Sequence, residues 1–151
     1  MTKKFLLIDD DLDDTGLFCE ALYEIDPYII CYVDHNARQA LDKLKRNEYL
    51  KPDIIFIDIN MPGMNGWQCL EELKKDPRFN EIPVIMYSTS SYAGDADKAL
   101  EMGALCFFTK PSEYNLLKRV LKAIADNIGG NIADAISSFE GISPKKIFNC
   151  S

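Results

Sequence analysis

Three acids, one hydroxyl and one lysine stand where apolar runs of this sequence break off. Asp9 and Asp10 follow Phe5-Leu6-Leu7-Ile8. Asp58 follows Ile54-Ile55-Phe56-Ile57 and precedes the Pro/Gly/Asn cluster from Asn60 to Gly66. Ser88 closes Val84-Ile85-Met86-Tyr87, and Lys110 closes Leu105-Cys106-Phe107-Phe108-Thr109. Runs of β-branched and aromatic residues cut off by turn formers read as buried strands. In open α/β sheets, ligands bind at the carboxyl ends of such strands. Side by side, these ends supply acids for a hard cation, one carboxylate able to act as a nucleophile, a hydroxyl donor and an ammonium group. Phosphoryl transfer uses those parts.

Each residue also has a plainer reading. Positions 9 to 14 run Asp-Asp-Asp-Leu-Asp-Asp. Asp is favoured at a helix N-terminus by capping and by the dipole. That accounts for Asp11, Asp13 and Asp14, but less well for Asp9 and Asp10, which stand at the strand end. Clustered carboxylates repel, and Mg²⁺, which takes one or two carboxylates and keeps several waters, relieves the repulsion. Taken singly, Asp58 is a solvated loop acid, Ser88 a turn residue and Lys110 a surface lysine before Pro111. Their joint placement carries the argument. His35, the single histidine, reads as a solvated loop residue, and Trp67 as packing at the start of a helix.

Helical spacing fills the intervals between the runs. Phe18, Ala21, Leu22 and Ile25 recur at i, i+3, i+4 and i+7, and Pro27 stops that helix. A second strand follows over Tyr28–Val33. Ala37, Ala40, Leu41 and Leu44 predict the next helix, with Asn36 as N-cap. Trp67, Leu70 and Leu73 mark a short helix ending near Asp76-Pro77. The strand over Ile82–Tyr87 has Pro83 near its start, where a missing N–H matters least. A weaker helix runs from about Ala93 to Met102, with Gly103 just beyond its end. Leu117, Val120, Leu121, Ile124 and Ile128 predict a long last helix with Ser112 as N-cap. Five strand–helix units in about 128 residues give an α/β protein: a five-stranded parallel sheet, doubly wound, with helices on both faces.

The chain has 151 residues, enough for one domain with a full core. Residues 1–128 are read as that domain and 129–151 as a tail, a short helix over about Ile132–Phe139 or disordered. No apolar stretch reaches the 18 residues of a membrane span, and no secretory leader is visible, so the expected location is cytoplasmic. The net charge of −7 argues against a phosphate-backbone surface, hence against DNA as a partner. The five cysteines include no C-x-x-C pair, and reduced, mostly buried thiols are expected.

With these motifs in order, the sequence resembles the receiver domains of two-component response regulators. The resemblance rests on Phe5-Leu6-Leu7-Ile8-Asp9-Asp10, on Pro52 to Gly66 with its Asp58-Ile59-Asn60-Met61-Pro62-Gly63-Met64-Asn65-Gly66 string, on Ile82 to Ser88, and on Gly103 to Pro111. It covers residues 3 to about 128. It implies a flavodoxin-like strand order 2-1-3-4-5. It implies that Asp58 takes a phosphoryl group from a phosphohistidine on a sensor histidine kinase or phosphotransfer protein. Asp10, Asp58 and the backbone carbonyl of Asn60 would bind Mg²⁺, with Asp9 holding a metal-bound water. Ser88 and Lys110 would bind phosphoryl oxygens, and Phe107 would turn inward as Ser88 moves toward the phosphate. Asn60 and Ser90 would occupy positions that tune phosphate lifetime. Ser88 stands where threonine is frequent in the family and keeps the hydroxyl. Phe107 stands where tyrosine is frequent and lacks the hydroxyl, so an inward state would rest on packing alone.

The expectation is therefore a stand-alone receiver, a phosphoacceptor rather than an enzyme, whose output passes to a protein partner over helix 4, strand 5 and helix 5. Three other readings fit less well. A flavodoxin-like cofactor binder would need a Ser/Thr/Gly-rich loop after strand 1, where this chain is acidic. A phosphatase with an aspartyl intermediate would carry a second acid at position 60. A phosphorylation-independent pseudo-receiver, serving as an interaction module, would have lost Asp58, the acid pair or Lys110.

Overall fold

The computed structural model describes residues 2–89 and 93–142. The elements alternate: β1 (Lys4–Ile8), α1 (Leu12–Ile25), β2 (Ile30–Asp34), α2 (Ala37–Lys45), β3 (Ile54–Ile57), α3 (Gly66–Lys75), β4 (Val84–Ser88), α4 (Ala93–Glu101), β5 (Cys106–Thr109), α5 (Tyr114–Asp126) and α6 (Ile132–Ile136). The five strands form one parallel sheet in the order β2-β1-β3-β4-β5. This is the doubly wound order that the family resemblance implies. Among the described residues no helix is long and apolar enough to cross a membrane.

The strand interiors are apolar because both faces of the sheet are covered; Lys4, Asp34, Ser88 and Thr109 stand at strand ends. Alternate side chains feed two separate cores. Leu6, Ile8, Ile55, Ile57, Val84, Met86 and Phe107 pack under α2, α3 and α4. Phe5, Leu7, Ile54, Phe56, Ile85, Tyr87, Cys106 and Phe108 pack under α1, α5 and α6. Phe18 of α1 meets Phe56 edge-on at 4.9 Å, a favoured aromatic geometry.

The helix ends follow their capping residues. Asp11 accepts from the Asp14 N–H, Asn36 from Gln39, and Asn65 forms a reciprocal box with Gln68. Gly103 ends α4 at φ +95°, with the Ala104 N–H bonded to the Ala99 carbonyl and the Gly103 N–H to that of Leu100.

Several boundaries differ from the sequence reading, among them β4, which starts at Val84 rather than Ile82, and α5, which ends at Asp126 before Ile128. Ser112 is not the N-cap of α5: the helix starts one residue later, Glu113 occupies the cap, and it makes no side-chain cap bond. The second strand starts at Ile30 rather than Tyr28, because the residues after Pro27 turn back on Asp26. Ile29 bonds its carbonyl and Tyr28 its side chain, which leaves Tyr28 exposed. Helix α6 ends at Ile136, short of Phe139.

Asn131 caps α6, and Ile132 and Ile136 join the core beneath α5. Beyond it, the Thr109 N–H bonds the Gly141 carbonyl at 2.9 Å, and Ile142 bridges Phe108 in antiparallel fashion. The outer edge of β5 is thereby covered there, as an unpaired sheet edge requires. Ser90, Cys150 and the apolar residues Ile147 and Phe148 lie outside the described residues.

Candidate functional site

Parallel pairing places the strand ends along one edge. Ile8 pairs with Ile57, so Asp9 and Asp58 continue their strands side by side, and the Asp58 N–H bonds the Ile8 carbonyl. Ser88 pairs with Thr109, and the Lys110 N–H bonds the Ser88 carbonyl at 2.8 Å. The four predicted positions, Asp9, Asp58, Ser88 and Lys110, are thus brought together, with Asp10 beside them.

Asp9 is fully buried and Asp58 nearly so, while Asp10 is exposed. The Asp9 Oδ1 accepts the Asp11 backbone N–H at 3.0 Å. Its Oδ2 is buried with no well-directed hydrogen bond, and meets Lys110 Nζ as an ion pair at 2.8 Å. The same ammonium lies 2.8 Å from Asp14 Oδ2 and 3.6 Å from Asp58 Oδ2. It also stands 5.4 Å from the centre of the Tyr87 ring.

One buried cation therefore serves three carboxylates. Burial alone would depress the Lys110 ammonium. Its bonds to Asp14 and Asp9, with the charges of Asp9 and Asp58, outweigh burial and hold it above the usual lysine range. Burial pushes the Asp58 carboxyl up to about 6, and the Asp9 charge adds to this. Lys110 and the Asn60 backbone N–H pull the other way. Burial, with the Asp14, Asp9 and Asp58 charges, also raises the Tyr87 phenol.

The arrangement fits a hard divalent cation. Carboxylate oxygens of Asp9, Asp10 and Asp58 come within 4.8 Å of one another. The Asp9 Oδ2, buried and held by the Lys110 ion pair without a well-directed hydrogen bond, keeps acceptor capacity for a cation. An all-oxygen, anionic donor set of this kind suits Mg²⁺.

Ser88 is fully buried at the end of β4, whereas its neighbour Thr89 is exposed. Phe107 is buried in the core under α3 and α4, one strand away from Met86. Asn60 is exposed on the loop after Asp58. That loop is held close by Gly66, whose N–H bonds the Ile59 carbonyl at 2.9 Å. A Cβ on Gly66 would clash with the Asp58 carbonyl oxygen and lie 2.7 Å from the Ile59 Cα. Helix α3 starts against the backbone of Asp58, and a glycine is what permits it.

Three participants escape a reading of spacing alone. Asp14, taken as a helix-terminal acid, also anchors Lys110. Tyr87, an ordinary strand aromatic, forms one wall of the site. His35 is exposed as expected, but its Nδ1 lies 2.9 Å from the Asp9 carbonyl oxygen. Trp67 packs partly against the core beneath, with Lys98 Nζ 4.6 Å from its ring centre.

Residues 5–122 match the response regulator receiver domain family. The chain belongs to that family. It is 33% identical over 124 residues to the two-component response regulator ARR5 of Arabidopsis thaliana, covering 76% of this chain and 66% of that protein. It is 33% identical over 153 residues to a protein-glutamate methylesterase/protein-glutamine glutaminase of Desulfotalea psychrophila, covering 94% of this chain and 41% of that one. The chain thus spans between two fifths and two thirds of the length of these curated relatives. Among solved structures, the phosphorylated cyanobacterial phytochrome response regulator RcpA superposes with a TM-score of 0.76 at 28% identity, over 83% of this chain and 93% of that one. The Mn²⁺-bound response regulator Rcp1 superposes with a TM-score of 0.73 at 25% identity, over 82% and 92%. Receiver domains are phosphoacceptor signalling domains that work with histidine kinases or phosphotransfer proteins.

Proposed function

We infer that this protein is a phosphoacceptor switch whose acceptor is Asp58. One observation carries the reading: the Asp58 carboxylate, two further aspartates and a buried lysine converge at one sheet edge. In the transfer, an Asp58 oxygen attacks phosphorus, the P–N bond of the donor phosphohistidine breaks, and the imidazole leaves with the bonding pair. An acyl phosphate remains on Asp58.

That attack brings an anion against an anionic phosphoryl group. Lys110, already 3.6 Å from Asp58, lies in reach of the incoming oxygens. Asp9, Asp10, Asp58 and the Asn60 carbonyl would hold a Mg²⁺ ion, which when bound offsets charge on the phosphoryl oxygens. Asp14 keeps Lys110 oriented. Ser88 donates its hydroxyl to a phosphoryl oxygen, and the buried Phe107 follows that movement, altering the face formed by α4, β5 and α5. A partner protein reads that face. The solved neighbours support this by analogy, one being titled phosphorylated and another Mn²⁺-bound.

The test is intact-mass spectrometry after incubation with acetyl phosphate, with Mg²⁺ or with EDTA. One Mg²⁺-dependent phosphoryl group, absent from Asp58→Asn, is expected. If acetyl phosphate fails, a phosphohistidine-bearing phosphotransfer protein is the second donor. A full phosphoryl yield on Asp58→Asn would overturn the acceptor assignment.

A further inference from the structure

Away from the acidic edge, Cys19 of α1 and Cys31 of β2 place their sulfur atoms 3.3 Å apart. Both side chains are only partly buried, so small oxidants reach them. A disulfide has an S–S length near 2.05 Å, and closing this gap takes roughly 1.3 Å, within the range of modest side-chain rotation. The other described cysteines differ. Cys69 and Cys106 are buried in the two cores, where burial pushes both thiols up to about 12.

The pair is also chemically unequal. The hydrogen bond shared with Cys31 draws the Cys19 thiol down to about 7, against the effect of burial and with help from His35. The same bond and burial raise Cys31. The lowered Cys19 is therefore the member of the pair better placed to react as a thiolate, with Cys31 as its partner thiol.

We propose that Cys19 and Cys31 form a redox-modification site, closing to an intramolecular disulfide in response to a hydroperoxide. The Cys19 thiolate attacks one peroxide oxygen, so an S–O bond forms and the O–O bond breaks. The departing oxygen takes a proton and leaves as an alcohol, or as water from hydrogen peroxide. Cys19 is then a sulfenic acid, oxidised by two electrons. Cys31 sulfur attacks Cys19 sulfur, the S–O bond breaks, and hydroxide leaves with the Cys31 proton as water. In sum, two thiols and one hydroperoxide give one disulfide, one alcohol and one water. The bond fastens α1, whose first turn carries the Lys110 anchor Asp14, to β2, which leads into His35 and its contact with Asp9.

The experiment treats the fully reduced chain with one equivalent of hydrogen peroxide, blocks remaining thiols with N-ethylmaleimide, and maps peptides by mass spectrometry. The expected product is a Cys19–Cys31 linked peptide two hydrogens lighter than its parts, restored by dithiothreitol. Cys31→Ser should stop at a Cys19 sulfenic acid, trapped by dimedone, and Cys19→Ser should form neither. Cys19 should also react with iodoacetamide at pH 7 at least about tenfold faster than Cys31. Recovery of Cys19 and Cys31 both alkylated after peroxide would overturn the proposal. So would a Cys19 linked to Cys150 in place of Cys31, or equal alkylation rates for the pair.

Discussion

The Lys110 ammonium and the Asp14 carboxylate meet at 2.8 Å although 96 residues separate them in the chain. The contact ties the end of β5 to the first turn of α1 and aims the lysine at Asp9 and Asp58. Asp14→Asn removes a charged, half-buried partner and leaves Lys110 with Asp9. A hydrogen bond to a charged group is usually worth about 1.5–3 kcal/mol, and the partial exposure of Asp14 places the expected loss at the low end of that range. Urea denaturation of both proteins measures it, with the phosphoryl yield on Asp58 retained. An unchanged midpoint would show that the contact adds nothing to stability in solution.

Lys110→Ala is a harsher change. It leaves the buried Asp9 Oδ2 without a counter-charge. Stranding a buried charge in this way costs about 3–5 kcal/mol. A bound divalent cation supplies compensating charge, so the loss should be largest in EDTA and recover in part with Mg²⁺. The variant should still accept a phosphoryl group from a strong donor but fail to change its partner-binding face. Melting curves with and without Mg²⁺ and a partner-binding assay separate the two effects. A Mg²⁺-independent deficit would argue that the metal and Lys110 do not share a site.

Ionised Asp58 is expected to make the metal-free fold less stable at neutral pH. Its carboxyl is raised from 3.8 to about 6 by burial and by Asp9. A raised acid binds its proton more tightly folded than unfolded, so its contribution is fully present below pH 3.8 and is lost as pH rises through about 6. Asp58→Asn removes that loss. In EDTA at pH 7 the variant should be more stable than the native protein by up to about 3 kcal/mol, and the difference should close as pH falls toward 4. Mg²⁺ should raise the melting temperature of the native protein more than that of the variant. Equal stabilities at pH 7 in EDTA would refute the burial argument.

Much of this site could be read from residue order, and the reasons are physical. A strand buried on both faces has to be apolar throughout, so β1, β3, β4 and β5 stand out as runs and their ends are visible. Asp9, Asp58, Ser88 and Lys110 sit at those ends. The Asp14–Lys110 bond was not legible, because it joins two elements through the fold and Asp14 already has a local reason to be where it is. Tyr28 and Ile29 looked like strand, but the bonds they make to Asp26 win locally. Phe107 and Phe108 are both buried and cannot be ranked by composition. Only the alternation of the strand sends Phe107 toward α3 and α4, and Phe108 toward α1 and α5.

Gly66 shows how the site depends on backbone that makes no contact with a phosphoryl group. Gly66→Ala sets a Cβ against the Asp58 carbonyl and the Ile59 Cα, and both are backbone atoms with little room to yield. Overpacking of this kind costs about 1–3 kcal/mol, and here it pushes on the residue that carries the acceptor. The variant should fold, lose stability in that range, and be phosphorylated by acetyl phosphate several-fold more slowly. Native rates together with reduced stability would mean that α3 yields rather than Asp58.

The covering of β5 gives the complementary case, stability without chemistry. Ile136 of α6 is fully buried in the core beneath α5, far along the chain from the acidic edge. Ile136→Ala removes apolar volume that neighbouring side chains only partly refill, at a cost of about 2–5 kcal/mol. The fall should appear in urea denaturation, while the Mg²⁺-dependent phosphoryl yield on Asp58 stays native under conditions where the variant is folded. If stability is unchanged, α6 does not pack on the sheet in solution. If the yield falls in the folded variant, the contact that follows α6, from Gly141 to Thr109 next to Lys110, transmits to the site.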